Sequence, residues 1–352
     1  AIPALPFLAK FDLARMFAKL NKYSASLPLD APYSAEHALQ WDGITLESWK
    51  RSFLKTPKAE TLLDIVTQSV FGAEASDLSF LFFLFYLRSG GDLDRLTRIA
   101  DGAQQTRVHG GLQQVSQRLA EELGDAVRLN SPVRTITHSE NGVNVFADTG
   151  AYEAVRTIVA VPPFLAGRIT YEPALPPLRA QLTQRLPMGS IIKCVAVYER
   201  PGWRDAGLSG EFVSDEGPLA SGFDDTPEGS AEGSLIGFIA GRAARAWSDR
   251  SGDVRGDAVV KQLSRYFGDD AAHPIDYLEM NWMAEEWSGG CYEAYMAPGV
   301  MTQYGKALRE PIGPIHWAGT ETSDVWCGYM DGAIRSGERA AEEVKSALSV
   351  ST

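Results

Sequence analysis

The stretch that decides the fold is His316–Val344, HWAGTETSDVWCGYMDGAIRSGERAAEEV. Its first residues, led in by PI, read as a buried strand that stops at Gly319. A polar loop follows, and a helix is expected from about Gly328 to the end of the stretch. A helix N-terminus presents free backbone N–H groups and the positive end of the peptide dipoles. Behind a strand and a glycine, that arrangement suits an anion, or a ring that accumulates negative charge. The face made by Ala333, Gly337, Ala340, Ala341 and Val344 carries only small side chains. Such a face lets a helix lie close to a sheet, a second helix or a cofactor.

Upstream, the reading alternates between helices and short strands. LAKFDLARMFAKL has apolar residues at helical spacing, and ITLESWKRSFL offers Thr45 as an N-cap. ETLLDIVTQSVFG reads as a helix closed by Gly72. The run Leu78–Leu87 is apolar on every side, so a buried helix ending at Ser89-Gly90-Gly91 is expected. GLQQVSQRLAEEL places Leu112, Val115, Leu119 and Leu123 on one helical face. AVRLN, VRTITHS, GVNVFAD and TIVAVPP read as strands, with a hairpin turn at His138–Gly142. IIKCVAVYE and SLIGFIAG are further strands. DVRGDAVVKQLSRYFG is an amphipathic helix with Val259, Leu263 and Phe267 on one face.

Composition narrows the classes. The chain has 352 residues, 45% hydrophobic and 22% charged, enough for a sizeable core and two domains. A formal net charge of -12 argues against nucleic acid as a partner. The three cysteines, Cys194, Cys291 and Cys327, form no disulfide framework and suit a reducing compartment. The five histidines are scattered, with neither HExxH nor CxxC, so no metal site is expected. The longest apolar run is about half of what a membrane span needs. With no convincing signal peptide or anchor, a soluble cytoplasmic protein is expected.

The stretch Ser288–Tyr295, SGGCYEAY, sets a thiol and a phenol side by side after two glycines. By itself this is a turn before a core cysteine. With its surroundings it resembles more. His316–Val344 resembles the C-terminal flavin-binding signature of the monoamine oxidase family. HGGLQQVSQRLAEEL resembles that family's Gly-Gly helix, and AVPPFLAGRITYEPALPPLRAQLTQRLPMGSIIKC its hinge between domains. NWMAEEWSGGCYEAYMAPGVMTQYG resembles the segment that carries the flavin-linking cysteine. The similarity covers nearly the whole chain. It implies an α/β, two-domain FAD-linked amine oxidase fold: a partial Rossmann-like FAD domain and a substrate domain of mixed sheet and helices. Residues 1–108 and 184–284 are expected in the substrate domain, and residues 109–183 and 285–347 in the FAD domain.

The resemblance also implies roles. Cys291 stands where the family forms a thioether to the 8α-methyl of FAD, with Gly289-Gly290 letting the backbone pass close to the ring edge. Tyr292 and Tyr329 match the two tyrosines of the aromatic cage that orients the amine. Lys193 matches the lysine that holds a water beside flavin N5. Trp282 is expected near the flavin, and Val133, Thr320, Glu321 and Met330 are expected to contact FAD. Gln104, Thr97, Ser221 and Phe238 are expected to line the substrate pocket. Thr97 and Ser221 stand where bulkier residues are usual, which implies a more open and polar cavity.

The reaction implied is oxidative deamination of primary amines: amine, O2 and water give aldehyde, ammonia and hydrogen peroxide. Putrescine, another polyamine or an L-amino acid are the alternative substrates. A catalytically inactive binding or scaffold protein on the same fold is the rival from another class. The family begins with a GxGxxG turn that holds the FAD pyrophosphate, and this chain has no GxGxxG. The dinucleotide-binding segment is therefore expected as a separate chain, with an excerpt of a longer polypeptide or an inactive truncation as alternatives. The partners expected are a small amine, O2, that segment and a second copy in a homodimer.

Overall fold

The computed structural model describes residues 5–98, 101–103 and 105–350. The chain divides into two compact units, each drawn from three stretches of sequence. Unit 1 comprises residues 1–20, 40–82 and 187–299; unit 2 comprises 21–39, 83–186 and 300–352. Residues 285–299 thus group with 187–284, and residues 83–108 with the stretch that follows them.

Eleven strands are present among the described residues: β1 Val133–Ser139, β2 Gly142–Ala147, β3 Gly150–Ala154, β4 Thr157–Val159, β5 Thr170–Glu172, β6 Ile191–Tyr198, β7 Phe212–Val213, β8 Leu219–Asp224, β9 Gly233–Ala240, β10 Asp276–Asn281 and β11 Ile315–Trp317. The helices that matter below are α1 Phe7–Ala25, α2 Leu46–Phe53, α3 Pro57–Phe71, α4 Phe80–Gly90, α5 Gln113–Leu123, α6 Pro177–Thr183, α7 Gly252–Phe267 and α8 Met330–Val350.

Unit 1 is built on one sheet, ordered β10-β6-β9-β8-β7 and antiparallel at every pairing. Alternation along the strands gives the sheet two faces. Ile192, Cys194, Ala196 and Tyr198 of β6, with Leu235 and Ile239 of β9, form a core with Val259 and Leu263 of α7. Ile191, Ala220 and Ala240 form a second, smaller cluster, against which Phe238 and Cys291 pack. The Thr45 hydroxyl accepts from the Ser48 N–H and caps α2, as its sequence position predicts. α3 ends at Gly72, whose φ of 60° is left-handed.

Unit 2 holds a four-stranded sheet, β3-β2-β1-β5, and a two-stranded parallel sheet, β11-β4. The expected hairpin forms between β1 and β2, with Ser139 opposite Gly142. Arg179 of α6 is buried with its guanidinium 3.5 Å from the centroid of the Trp317 ring, and it donates to the carbonyls of Ala307 and Leu308. The residues of α4 from Leu81 to Leu87 are all buried, as the unbroken apolar run implies.

Three expectations change. AVRLN is not a strand: a short 3₁₀ turn, Gly124–Ala126, leads into unpaired chain. β-propensity without a partner strand makes no ladder. α8 starts at Met330, and its buried face is Gly332, Ser336 and Ala340, with Ala333 and Ala341 exposed. The small face is thus turned by about one residue from the one read in the sequence. The apolar residues of α5 are amphipathically placed, yet Leu112, Leu119 and Leu123 are 49%, 53% and 61% exposed. No described helix is long and apolar enough to cross a membrane.

Candidate active site

Within unit 1, three of the expected site residues fall on one line. Lys193 of β6 stands directly opposite Phe238 of β9, and Phe238 directly opposite Ser221 of β8. Directly opposed residues of antiparallel strands point to the same face. The line continues to Met280 of β10, opposite Lys193. A bulge at Ala220 separates the Leu219–Ile239 pair from the Ser221–Phe238 pair and sets this register. Lys193 is exposed, Phe238 half-buried and Ser221 buried.

Cys291 meets this face from the loop after β10. Its side chain packs on Ile191, Ala220 and Ala240 with Phe238. The ring of Tyr292 lies 6.3 Å from that of Phe238, edge to face, and is 41% exposed. The backbone here is held by close approach. The Cys291 N–H donates to the Gly189 carbonyl at 3.0 Å, and the Gly189 N–H donates to the Glu293 carbonyl at 3.1 Å. A Cβ on Gly189 would lie 2.2 Å from the Cys291 carbonyl oxygen and 2.3 Å from that of Phe71. A Cβ on Gly290, at φ 145°, would lie 2.4 Å from the Gly189 oxygen. The close approach that Gly290 permits in this structure is therefore to the chain leading into β6.

Burial pushes the Cys291 thiol up to about 12, with the charge of Glu293 adding to the rise and Lys193 opposing it. Glu293 itself is buried. The resting group is thus a neutral thiol. Trp282 sits half-buried in the turn that ends β10, and its carbonyl accepts from the Ser288 hydroxyl.

Unit 2 carries the other expected residues. β11 runs into Gly319, the 3₁₀ turn Thr320–Thr322 and a loop that leads to α8. Thr320 donates its hydroxyl proton to the Tyr329 carbonyl at 2.9 Å, and Gly319 donates to the Ser336 hydroxyl at 3.0 Å. Glu321 is buried, whereas Met330, at the first turn of α8, is exposed. The Tyr329 ring lies 5.1 Å from Trp326 and 6.3 Å from Tyr86. Ser89 fixes the loop: its carbonyl accepts from the Trp326 N–H and its hydroxyl from the Cys327 N–H. Arg95 lies over the Trp326 ring. Val133 opens β1 opposite Ala147. Thr97 is exposed, and its hydroxyl donates to the Leu93 carbonyl of its own helix. Gln104 lies outside the described residues. Sequence reasoning passed over Ser69, which bonds Ser221 across the fold. Its only local signal is a serine near the end of an amphipathic helix.

The family model for flavin-containing amine oxidoreductases matches residues 2–345. The chain belongs to that family. It is 41% identical over 338 residues to a probable flavin-containing monoamine oxidase A of Dictyostelium discoideum, covering 96% of this chain and 74% of that protein. It is 37% identical over 346 residues to the flavin-containing amine oxidase A of Bos taurus, covering 97% of this chain and 66% of that enzyme. Among solved structures, putrescine oxidase bound to putrescine matches with a TM-score of 0.94 at 32% identity, over 98% of this chain and 77% of that one. Cyclohexylamine oxidase from Brevibacterium oxydans IH-35A matches at 0.93 and 34%, over 99% and 77%. The protein is thus an amine oxidase of the two-domain α/β type, and its cofactor is FAD. Taken each by itself, the units carry residues that suit a flavin: in unit 1 a packed thiol on the sheet face that bears an exposed lysine, with an exposed tyrosine next to it, and in unit 2 a glycine turn that leads to a helix N-terminus.

Proposed function

We propose that the protein oxidises primary amines to aldehydes with O2 as acceptor, and that Cys291 carries the FAD as a thioether. The observation that carries this reading is the row Lys193–Phe238–Ser221 with Cys291 and Tyr292 packed against it. FAD, when bound, would supply the two-electron redox chemistry that couples oxidation of the carbon next to nitrogen to reduction of O2 to peroxide. The protein's own groups position and select. Tyr292 and Tyr329 present ring faces that orient the amine and accept its neutral form. Lys193, exposed on the sheet face, holds a water for the oxygen reaction. Phe238 excludes water on the substrate side. Thr320, Glu321 and Met330 hold the cofactor ring from the turn before α8 and from its first residue, Val133 meets the adenine end, and Trp282 packs by the ring.

The dinucleotide-binding segment is proposed to pack on the apolar surface that unit 2 leaves open. Leu112 at the N-cap of α5 and Leu119 and Leu123 within it are exposed, as are Ile158 of β4 and Val161 beyond it. In the parallel pair β11-β4 the outer edge of β11 is taken up by Ile312 and Arg339, whereas β4 has no further strand beside it among the described residues, and a two-stranded sheet is marginal by itself.

Mass spectrometry of the denatured holoenzyme, together with peroxide release from a panel of amines, tests the proposal. A flavin mass retained on the peptide containing Cys291, lost in Cys291→Ser, is the expected result. Flavin released free on denaturation would remove the thioether. No peroxide from any amine, with flavin bound, would favour a binding or scaffold role.

A further inference from the structure

Ser69 of α3 and Ser221 of β8 share a hydrogen bond, oxygen to oxygen, of 2.9 Å between residues 152 apart in sequence. Ser221 is 3% exposed. Two hydroxyls hold two protons, and their mutual bond uses one. Neither hydroxyl makes another hydrogen bond among the described residues. The pair therefore keeps one O–H free to donate, in a position where leaving it dry is costly. Its place in the sheet says what it can meet. Ser221 stands opposite Phe238, whose ring reaches Tyr292, and Lys193 lies one strand further on.

We propose that the Ser69–Ser221 pair makes this enzyme select primary amines whose far end bears a neutral hydrogen-bonding group, such as an ω-amino alcohol. The proposal rests on the amine-oxidase reading of the same site. Two strand spacings separate the Lys193 position from the Ser221 position, about 10 Å, which an extended six-carbon amino alcohol spans. A methyl at that end leaves the free O–H without a partner. A second ammonium fares worse, because Ala220, Ile191, Ala240 and Phe238, which cluster on the same face of the sheet, offer it no acceptor. Glu74, the carboxylate just beyond α3, is already engaged. It accepts from the Gln68 amide, from the Arg242 N–H and from the Arg242 guanidinium. The selection acts far from the reacting carbon, so it belongs in KM more than in kcat.

The test compares 6-aminohexan-1-ol, heptan-1-amine and 1,6-diaminohexane on the FAD-loaded holoenzyme by peroxide release. It also compares their dissociation constants by anaerobic titration of the flavin absorbance. The amino alcohol is expected to lead the alkylamine by about tenfold in kcat/KM, mainly through KM, and the diamine by more. The double variant Ser69→Ala/Ser221→Ala, which removes both hydroxyls, brings the alcohol-to-alkyl ratio close to unity, whereas Ser221→Thr, which keeps a hydroxyl, retains the preference. A ratio near unity in the native enzyme, a ratio unmoved by the double variant Ser69→Ala/Ser221→Ala, or a preference for the diamine would overturn the proposal. If none of the three is oxidised, the amine-oxidase reading fails on its own, and the dissociation constants still decide the preference.

Discussion

Cys291 carries a thiol whose environment opposes ionisation. Burial comes first, and the Glu293 charge adds to it, placing the group at about 12. Cys194, packed in the sheet core, is raised to about 12 by burial as well. Only the thiolate is a nucleophile, and its fraction grows tenfold per pH unit below the pKa. In flavin-free protein, alkylation of Cys291 by iodoacetamide is therefore expected to be slow at pH 8 and to climb steadily towards pH 11. Glu293→Gln removes the opposing charge, so it lowers the thiol pKa and speeds alkylation at fixed pH; an unchanged rate in that variant would show that Glu293 does not act on the thiol. The same shifts act on stability. A folded pKa above the unfolded value near 9 means that the folded state holds its proton more tightly. The contribution is complete below pH 9 and is lost as pH rises towards 12. In assembled enzyme a thioether at Cys291 removes that thiol from the titration, while Cys194 still contributes.

At the scale of elements, the junction of α4 with the loop before α8 decides where Tyr329 sits. Ser89, 5% exposed at the end of α4, accepts from two successive loop N–H groups, those of Trp326 and Cys327. Ser89→Ala leaves the Cys327 N–H without its acceptor in a buried position, a loss of about 1–3 kcal/mol. Denaturant unfolding should show that loss, together with a raised KM for amines, because Tyr329 follows Cys327 by two residues; a variant as stable as the native protein would mean that the loop is held by other contacts. The same element shows what local sequence can carry. Ser89-Gly90-Gly91 ends an apolar run, and Thr45 precedes a helical pattern, so both boundaries are written in neighbouring residues. The SGGCYEAY motif is equally local. The row Lys193–Phe238–Ser221 is not, because register across β6, β9 and β8 is fixed by pairing between distant segments and by the bulge at Ala220. Ser69 became visible for the same reason only when α3 met β8. AVRLN has strand-forming residues and no strand to pair with, so its propensity misleads.

At the scale of the whole molecule, the informative feature is apolar surface that the described chain does not cover. The face of α5 has the 3.6-residue spacing of a buried helix, yet none of its residues is buried. Leu129, 78% exposed, extends the patch along the sequence, and Ile334 of α8 is 53% exposed. An amphipathic face of this kind marks an interaction surface or an aggregation liability. The outer edge of β4, with no strand beside it among the described residues, adds a pairing hazard. Each leucine side chain hidden from water contributes about 1.5–3 kcal/mol, so covering the α5 face is a substantial driving force. The 352 residues expressed alone are therefore expected to self-associate and to bind FAD weakly. Co-expression with a GxGxxG-containing segment from a relative should yield a monodisperse yellow product. The triple change Leu112→Glu, Leu119→Glu and Leu123→Glu separates the two roles of the face. It should reduce self-association of the chain alone, as read by light scattering, and should also block capture of the co-expressed segment. A chain that is monodisperse, yellow and active alone, or a triple variant that still captures the segment, would show that this surface is not where the cofactor-binding half docks.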